Sequence, residues 1–314
     1  GSVHLFERSG ASWEERTELV AADVGVGDEF GSRVALAPEH LVVGARGHDH
    51  LGLDDTGGVW VFHRTGGAWF EEAELVPEDA EMGDQLGAGV ATDSRTVLAG
   101  APTAETPAFN SGAAYTFVRG DGGAWLQATK LVASDAQTSD SFGRAVALGC
   151  DTALVGAPGS DVGLLDTGAA YVYTVPHGWV TSLCLAEPNS SGEAAHIAAT
   201  GSVSVALDEL ALEASGCPPF QPALFFYGRE TNPMPFGPGW LCVSPFHPGL
   251  IRLLPIVTTD AGGAVARPLE LAGLPPGGPI EPGTSWVFQL WCRDPAAGGT
   301  RSALSDGVRV GFCD

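Results

Sequence analysis

Apolar and polar positions alternate with a period of two over short runs, and glycine-rich turns separate the runs. Val59–Arg64 alternates and closes through Gly66-Gly67 into Trp69–Leu75, which predicts a hairpin. Gly87–Thr92 and Thr96–Ala99 follow, small and apolar, joined by the turn Asp93-Ser94-Arg95. This four-segment unit recurs. Trp13, Trp69 and Trp125 lie 56 residues apart, as do Leu19, Leu75 and Leu131, then Gly31, Gly87 and Gly143, then Gly44, Gly100 and Gly156. The lines DEFGSRVAL, DQLGAGVAT and DSFGRAVAL match along their length, and each is followed by a small apolar strand ending in Gly-Ala. Four antiparallel strands per unit, the inner ones rich in small residues, predict the blade of a β-propeller. Trp60, Phe62, Trp69 and Tyr115 are expected to fill the space between blades.

Phe-Gly at 30–31 and 142–143, with Gly-Ala-Pro at 100–102 and 156–158, resembles the FG-GAP repeat of integrin α-chains and many secreted bacterial proteins. The first unit has Gly44-Ala45-Arg46 in place of GAP, and the second has Leu86-Gly87 in place of FG. The phrasing is most similar to repeats of large secreted proteins from planctomycetes and myxobacteria, and it covers residues 1–175. The resemblance implies a propeller with an adhesive or structural role outside the cell. Integrin repeats carry a calcium cage, DxDxDGxxD, between FG and GAP. Here that interval is a tight turn, Pro38-Glu39-His40, Asp93-Ser94-Arg95 or Cys150-Asp151-Thr152, so those calcium sites do not carry over.

Strands group as two, four, four and three, about three blades in all, whereas propellers close with four to eight. The chain is expected to begin and leave the repeat in mid-unit, with raw blade faces that further repeats or other subunits must cover. Head-to-tail contacts between such faces give rings or filaments.

Near residue 176 the pattern changes. Sixteen of the 22 prolines and five of the six cysteines lie beyond it. Alternating runs at 196–205, 207–214, 223–227, 250–258, 284–291 and 307–313 predict strands of a β-sandwich. The Pro/Gly segments 232–239 and 274–283 read as turns between them. Residues 184–219, 288–295 and 304–312 resemble a C-terminal module that follows FG-GAP arrays in secreted proteins of the planctomycete type, for which no activity is implied. The expected fold is therefore all-β, a partial propeller over 1–176 and a β-sandwich over 177–314.

A net charge of −23 repels phosphate backbones, which argues against nucleic-acid partners. No run of eighteen apolar residues is present to span a bilayer. Six cysteines without CxxC spacing favour disulfides and an oxidising, extracellular compartment over zinc, with buried free thiols as the alternative. No signal peptide is visible at Gly1, so a mature or excised chain is expected. High acidity fits a medium rich in salt or divalent cations, in which assembly should strengthen.

Counting from the glycine of each GA(P), oxygen-bearing residues recur at +5 (Asp49, Glu105, Asp161) and at +10 (Asp54, Asn110, Asp166). Two oxygen donors in each Gly-rich loop suit Ca²⁺; Asx-turns that bond their own backbone are the alternative. A second series, Asp23/Asp28, Asp79/Asp84 and Asp135/Asp140, is expected to accept turn amides. His48-Asp49-His50 is expected to be an exposed loop rather than a metal pair. Glu14-Glu15 and Glu71-Glu72 are expected on a solvated face. No nucleophile or phosphate-loop motif is present, so the chain reads as non-enzymatic. The partners expected are other copies of itself, as an oligomer or filament, or an extracellular protein or glycan.

Overall fold

The computed structural model describes every residue except 94, 121–122, 150, 162–166, 176–179, 238, 247–248, 276–277, 298–300 and 314. It divides into two compact units, Gly1–Gly178 and Trp179–Asp314. Among the described residues the only helical turn is the 3-10 segment Leu271–Gly273.

The first unit is a series of antiparallel meanders. A two-stranded first blade contains β1 (Val3–Ser9) and β2 (Ser12–Leu19). The second blade runs β3 (Arg33–Leu36), β4 (His40–Ala45), β5 (Gly58–Thr65) and β6 (Ala68–Leu75). The third runs β7 (Gly89–Thr92), β8 (Thr96–Ala101), β9 (Ala113–Arg119) and β10 (Trp125–Leu131). The fourth has β11 (Ala145–Leu148), β12 (Thr152–Ala157) and β13 (Ala169–Thr174). The grouping is the one the repeat predicts. Each outer hairpin carries one register shift, between Leu5 and Phe6, Val61 and Phe62, and Gln127 and Thr129. Such bulges add twist to the outer strands of each blade.

Three cores lie between successive blades. Phe30, Leu41, Val43, Trp60 and Phe62 face the first blade, and Val42, Val61, Leu86, Val97, Ala99 and Tyr115 fill the next joint. Leu98, Ala114, Phe142, Ala153 and Val155 fill the third. Alternate residues of one strand thus serve opposite joints, which is why β4 and β8 are buried at every position. The aromatic expectation holds for Trp60, Phe62 and Tyr115, all buried, while Trp69 is half-buried under Arg64.

The second aspartate series caps turns. Asp28, Asp84 and Asp140 are buried and accept the amides of Gly25, Glu81 and Gln137 at 2.8, 2.9 and 2.7 Å. Their partners at the other position bind side chains of the following blade. Asp23 accepts from Trp60 Nε1 at 3.2 Å, Asp79 from Lys130 at 2.7 Å, and Asp135 from the Tyr171 hydroxyl at 2.7 Å. The expectation for Glu71-Glu72 needs correction. Glu72 is only 18% exposed and accepts from Arg119 and from Trp125 Nε1 (3.2 Å) on the third blade. The outer strands of adjacent blades lie close enough for a long carboxylate to cross between them.

The second unit is a β-sandwich. One sheet follows the order β14 (Val180–Leu183), β24 (Ser302–Gly311), β23 (Ser285–Arg293), β17 (Pro222–Gly228) and β20 (Ile251–Arg252), with β21 (Val257–Thr258) also on β17. The others are β15 (His196–Thr200), β16 (Ala211–Ser215) and β22 (Val265–Pro268), and the hairpin of β18 (Thr231–Phe236) with β19 (Gly239–Val243). The segment 232–239 is therefore mostly strand rather than turn. Pro233 and Pro235 lie in a strand paired on one side only, where a missing N–H costs little. Gln289, fully buried, holds this hairpin to the large sheet by accepting from the Cys242 amide (2.9 Å) and donating to the carbonyls of Trp240 (2.7 Å) and Ser305 (2.8 Å).

Cysteine chemistry divides. Cys184 and Cys242 form a disulfide, and Cys313 is also disulfide-bonded. Cys217 and Cys292 are buried free thiols, and contact with Cys217 together with burial pushes the Cys292 thiol up. Alkylation of the native protein is expected to spare both, and alkylation in denaturant to label both. Peptide mass mapping reads the result. Native labelling of either residue, or none in denaturant, would contradict this placement.

Candidate functional site

The repeat motif is a joint between backbones. Within each blade the N–H of the FG glycine donates to the carbonyl of the GA glycine: Gly31 to Gly44 (3.1 Å), Gly87 to Gly100 (3.0 Å) and Gly143 to Gly156 (3.1 Å). Between blades, the bare α-carbon of one GA glycine receives the FG glycine of the next. A Cβ on Gly44 would stand 3.1 Å from Gly87 Cα, and one on Gly100 would stand 2.7 Å from the Gly143 carbonyl carbon. Parallel bridges Gly57–Leu86 and Gly112–Phe142 lie beside these contacts. Leu86 is as buried as Phe142 and Phe30, which is why an apolar side chain other than Phe satisfies this position.

On the fourth blade the same joint is open. A Cβ on Gly156 would meet only Ala145, at 3.6 Å, and one on Gly168 would meet nothing closer than the Pro158 carbonyl at 3.4 Å. A cleft of about 450 Å³ lies there, lined by Arg144, Ala145, Gly156, Pro158, Gly168 and Ala170. β12 has nearly the sequence of β4 and β8, yet its burial alternates instead of being continuous. Leu154 is 45% exposed and Val172 on β13 is 68% exposed.

The loop oxygens predicted for Ca²⁺ have identifiable surroundings. Asp49, Asp54, Glu105 and Asp161 are exposed, Asn110 is half-buried, and Asp166 lies outside the described residues. Asp49 Oδ1 accepts the Asp55 amide at 2.9 Å. Asp55 and Asn110 both have φ of 51°, a left-handed conformation that Asp and Asn tolerate well. The structural match to Asn110 is thus Asp55 rather than Asp54. Both loops accept hydrogen bonds across the joint through their carbonyls. Asp54, Asp55 and Thr56 receive the amides of Gly83, Gln85 and Leu86, as Phe109, Asn110 and Ser111 receive those of Ser139, Ser141 and Phe142.

His48-Asp49-His50 is not the exposed loop expected. His48 is buried, His50 is half-buried, and both rings reach Glu74 on β6. Neither histidine's sequence context signals this, because Glu74 lies 24 residues beyond His50 and only the β5–β6 register brings it alongside.

A family profile for the FG-GAP repeat matches residues 13–62, 69–117 and 125–173. A search of curated proteins gives no significant match. FG-GAP repeats are common in extracellular, adhesion-type modules and are generally not enzymes. No described helix is long and apolar enough to cross a membrane. The FG-GAP repeats and the disulfide fit an extracellular protein. Three FG-GAP repeats are thus detected within residues 13–173 of the chain.

Proposed function

We propose that the chain is a non-enzymatic, extracellular structural protein that assembles through the open face of its fourth blade. The supporting observation is the vacant joint at Gly156 and Gly168, with Leu154 and Val172 left exposed. Its shape and chemistry are those that receive Leu86-Gly87 and Phe142-Gly143 elsewhere in the unit. The fitting occupant is another FG-GAP blade, from a neighbouring subunit or from further repeats of the same polypeptide. Exposed apolar strand faces of this kind mark interaction sites, and a blade joined head-to-tail gives a ring or a filament.

Light scattering on the native chain tests the reading. A particle of at least twice 32.2 kDa is expected, with Gly156→Val reducing it to a monomer of unchanged circular dichroism spectrum. A wild-type monomer would overturn self-assembly. A second reading, calcium-assisted adhesion to a protein or glycan, draws on the exposed carboxylates Asp49, Asp54, Glu105 and Asp161 at corresponding loop positions. It predicts that EDTA abolishes ligand binding and leaves the particle mass unchanged.

A further inference from the structure

We propose that His48, His50 and Glu74 form a binding site for a borderline transition metal ion of the Zn²⁺ class, separate from the loop oxygens considered for Ca²⁺. Their donor atoms all lie within 4.8 Å of one another, and among the described residues no other group of three His, Cys, Asp or Glu residues does so. Glu74 Oε1 stands 3.3 Å from His48 Nε2 and 3.1 Å from His50 Nδ1. Donors on a tetrahedral ion with bonds of about 2.0–2.1 Å are separated by roughly 3.3 Å, so these spacings are those of ligand edges. Two imidazoles and one carboxylate are a recurrent zinc donor set and leave a fourth position to solvent. The half-exposure of His50 and Glu74 supplies the path by which an ion enters.

A supporting shell is also in place. His48 uses its second ring nitrogen, Nδ1, on Asp28 Oδ2 at 2.9 Å, which directs Nε2 toward Glu74. Asp28 is in turn held by the Gly25 amide at 2.8 Å, and the His48 ring packs edge-on against Trp60 at 4.9 Å between centroids. A carboxylate behind a ligating imidazole fixes ring orientation and tautomer.

The repeat itself supplies the control. At the matching positions, 56 residues on, the third blade carries Ala104, Thr106 and Lys130. There the Lys130 ammonium sits between Thr106 Oγ1 (3.1 Å) and Asp79 (2.7 Å). A blade therefore folds without His, His and Glu at these places, and its third-blade version fills them with a fixed cation. In the second blade the ion pairs described for Asp28 and Glu74 are with the two imidazoles alone. An ion bound at His48, His50 and Glu74 supplies the positive charge that Lys130 brings to the third blade.

Calorimetric titration of the full chain with ZnCl₂ at about pH 7.5, where free imidazole is mostly neutral, tests this. One ion per chain is expected, and Co²⁺ in its place should give the visible absorption of a tetrahedral N/O site. His50→Ala and Glu74→Gln, both half-exposed, should each weaken binding at least tenfold with an unchanged circular dichroism spectrum. Asp28→Asn should weaken it about 10- to 100-fold. Absence of saturable binding would overturn the proposal. So would one-to-one binding indifferent to His50→Ala and Glu74→Gln, which would place the ion elsewhere, as at His4 with Glu15 and Glu18.

Discussion

Gly100→Ala is expected to destabilise the repeat unit by about 3 kcal/mol, while Gly156→Ala, at the same place in the motif, is expected to cost the single chain nothing when both are unfolded at a dilution where no assembly forms. At position 100 the new methyl group would meet the Gly143 backbone, its carbonyl carbon at 2.7 Å and its α-carbon at 3.0 Å. Backbone on both sides of the contact cannot rotate away as a side chain can, so the third and fourth blades must separate to admit it. Their shared core, with Phe142 and Val155 fully buried, would then open. At position 156 the methyl meets only Ala145 at 3.6 Å, an ordinary contact. Neither glycine needs a left-handed backbone, so alanine restricts the unfolded chain at both. That effect alone stabilises by up to about 1 kcal/mol, and at Gly156 it is unopposed. Urea unfolding followed by tryptophan fluorescence reads the difference as a shift in midpoint. Equal shifts in the two variants would mean that the glycine pair does not form the joint, and the vacancy at Gly156 would lose its meaning.

The joint was largely legible in the sequence. The 56-residue spacing of Gly31, Gly87 and Gly143 against Gly44, Gly100 and Gly156 marks backbone contacts, because only crowding of main chains demands glycine so regularly. Strand grouping followed from the same spacing. Which glycines touch was not legible, since the bond within a blade (Gly87 to Gly100) and the contact between blades (Gly100 with Gly143) give the same periodicity. Side chains that act across strands were harder still. Glu72 looked like half of a solvated pair until the third blade brought Arg119 and Trp125 to it. Glu74 gave no sign of meeting His48 and His50, because period-two alternation assigns a face and not a partner on another strand. In the second unit the prolines of β18 concealed a strand, as turn chemistry and unpaired edges favour the same residue.

Asp294→Ala is expected to remove about 2–4 kcal/mol from the second unit at neutral pH, and much less in acid. The carboxylate lies at the end of β23 with no exposed surface. Its Oδ2 accepts the Ser190 amide at 2.8 Å, and its Oδ1 accepts both the Ala297 amide at 3.2 Å and the Ser190 hydroxyl. The bond to Ser190 closes a separation of 104 residues, tying the turn at Asn189-Ser190-Ser191 to the far end of the large sheet. Alanine would take a charged acceptor away from the amides of Ser190 and Ala297 and from the Ser190 hydroxyl. Burial alone would raise the carboxyl pKa, but the hydrogen bonds from Ser190 and Ala297 outweigh it and hold the group below its ordinary 3.8. A depressed folded-state pKa means that the native state holds its proton less tightly than the unfolded chain. The stabilisation is therefore complete above the unfolded value and is lost as pH falls through the folded one. Urea midpoints for the wild type and Asp294→Ala should differ widely at neutral pH and converge as the solution is acidified below the carboxylate range. A gap that stays constant with pH would mean that packing, and not the charged acceptor, holds this corner of the sandwich together.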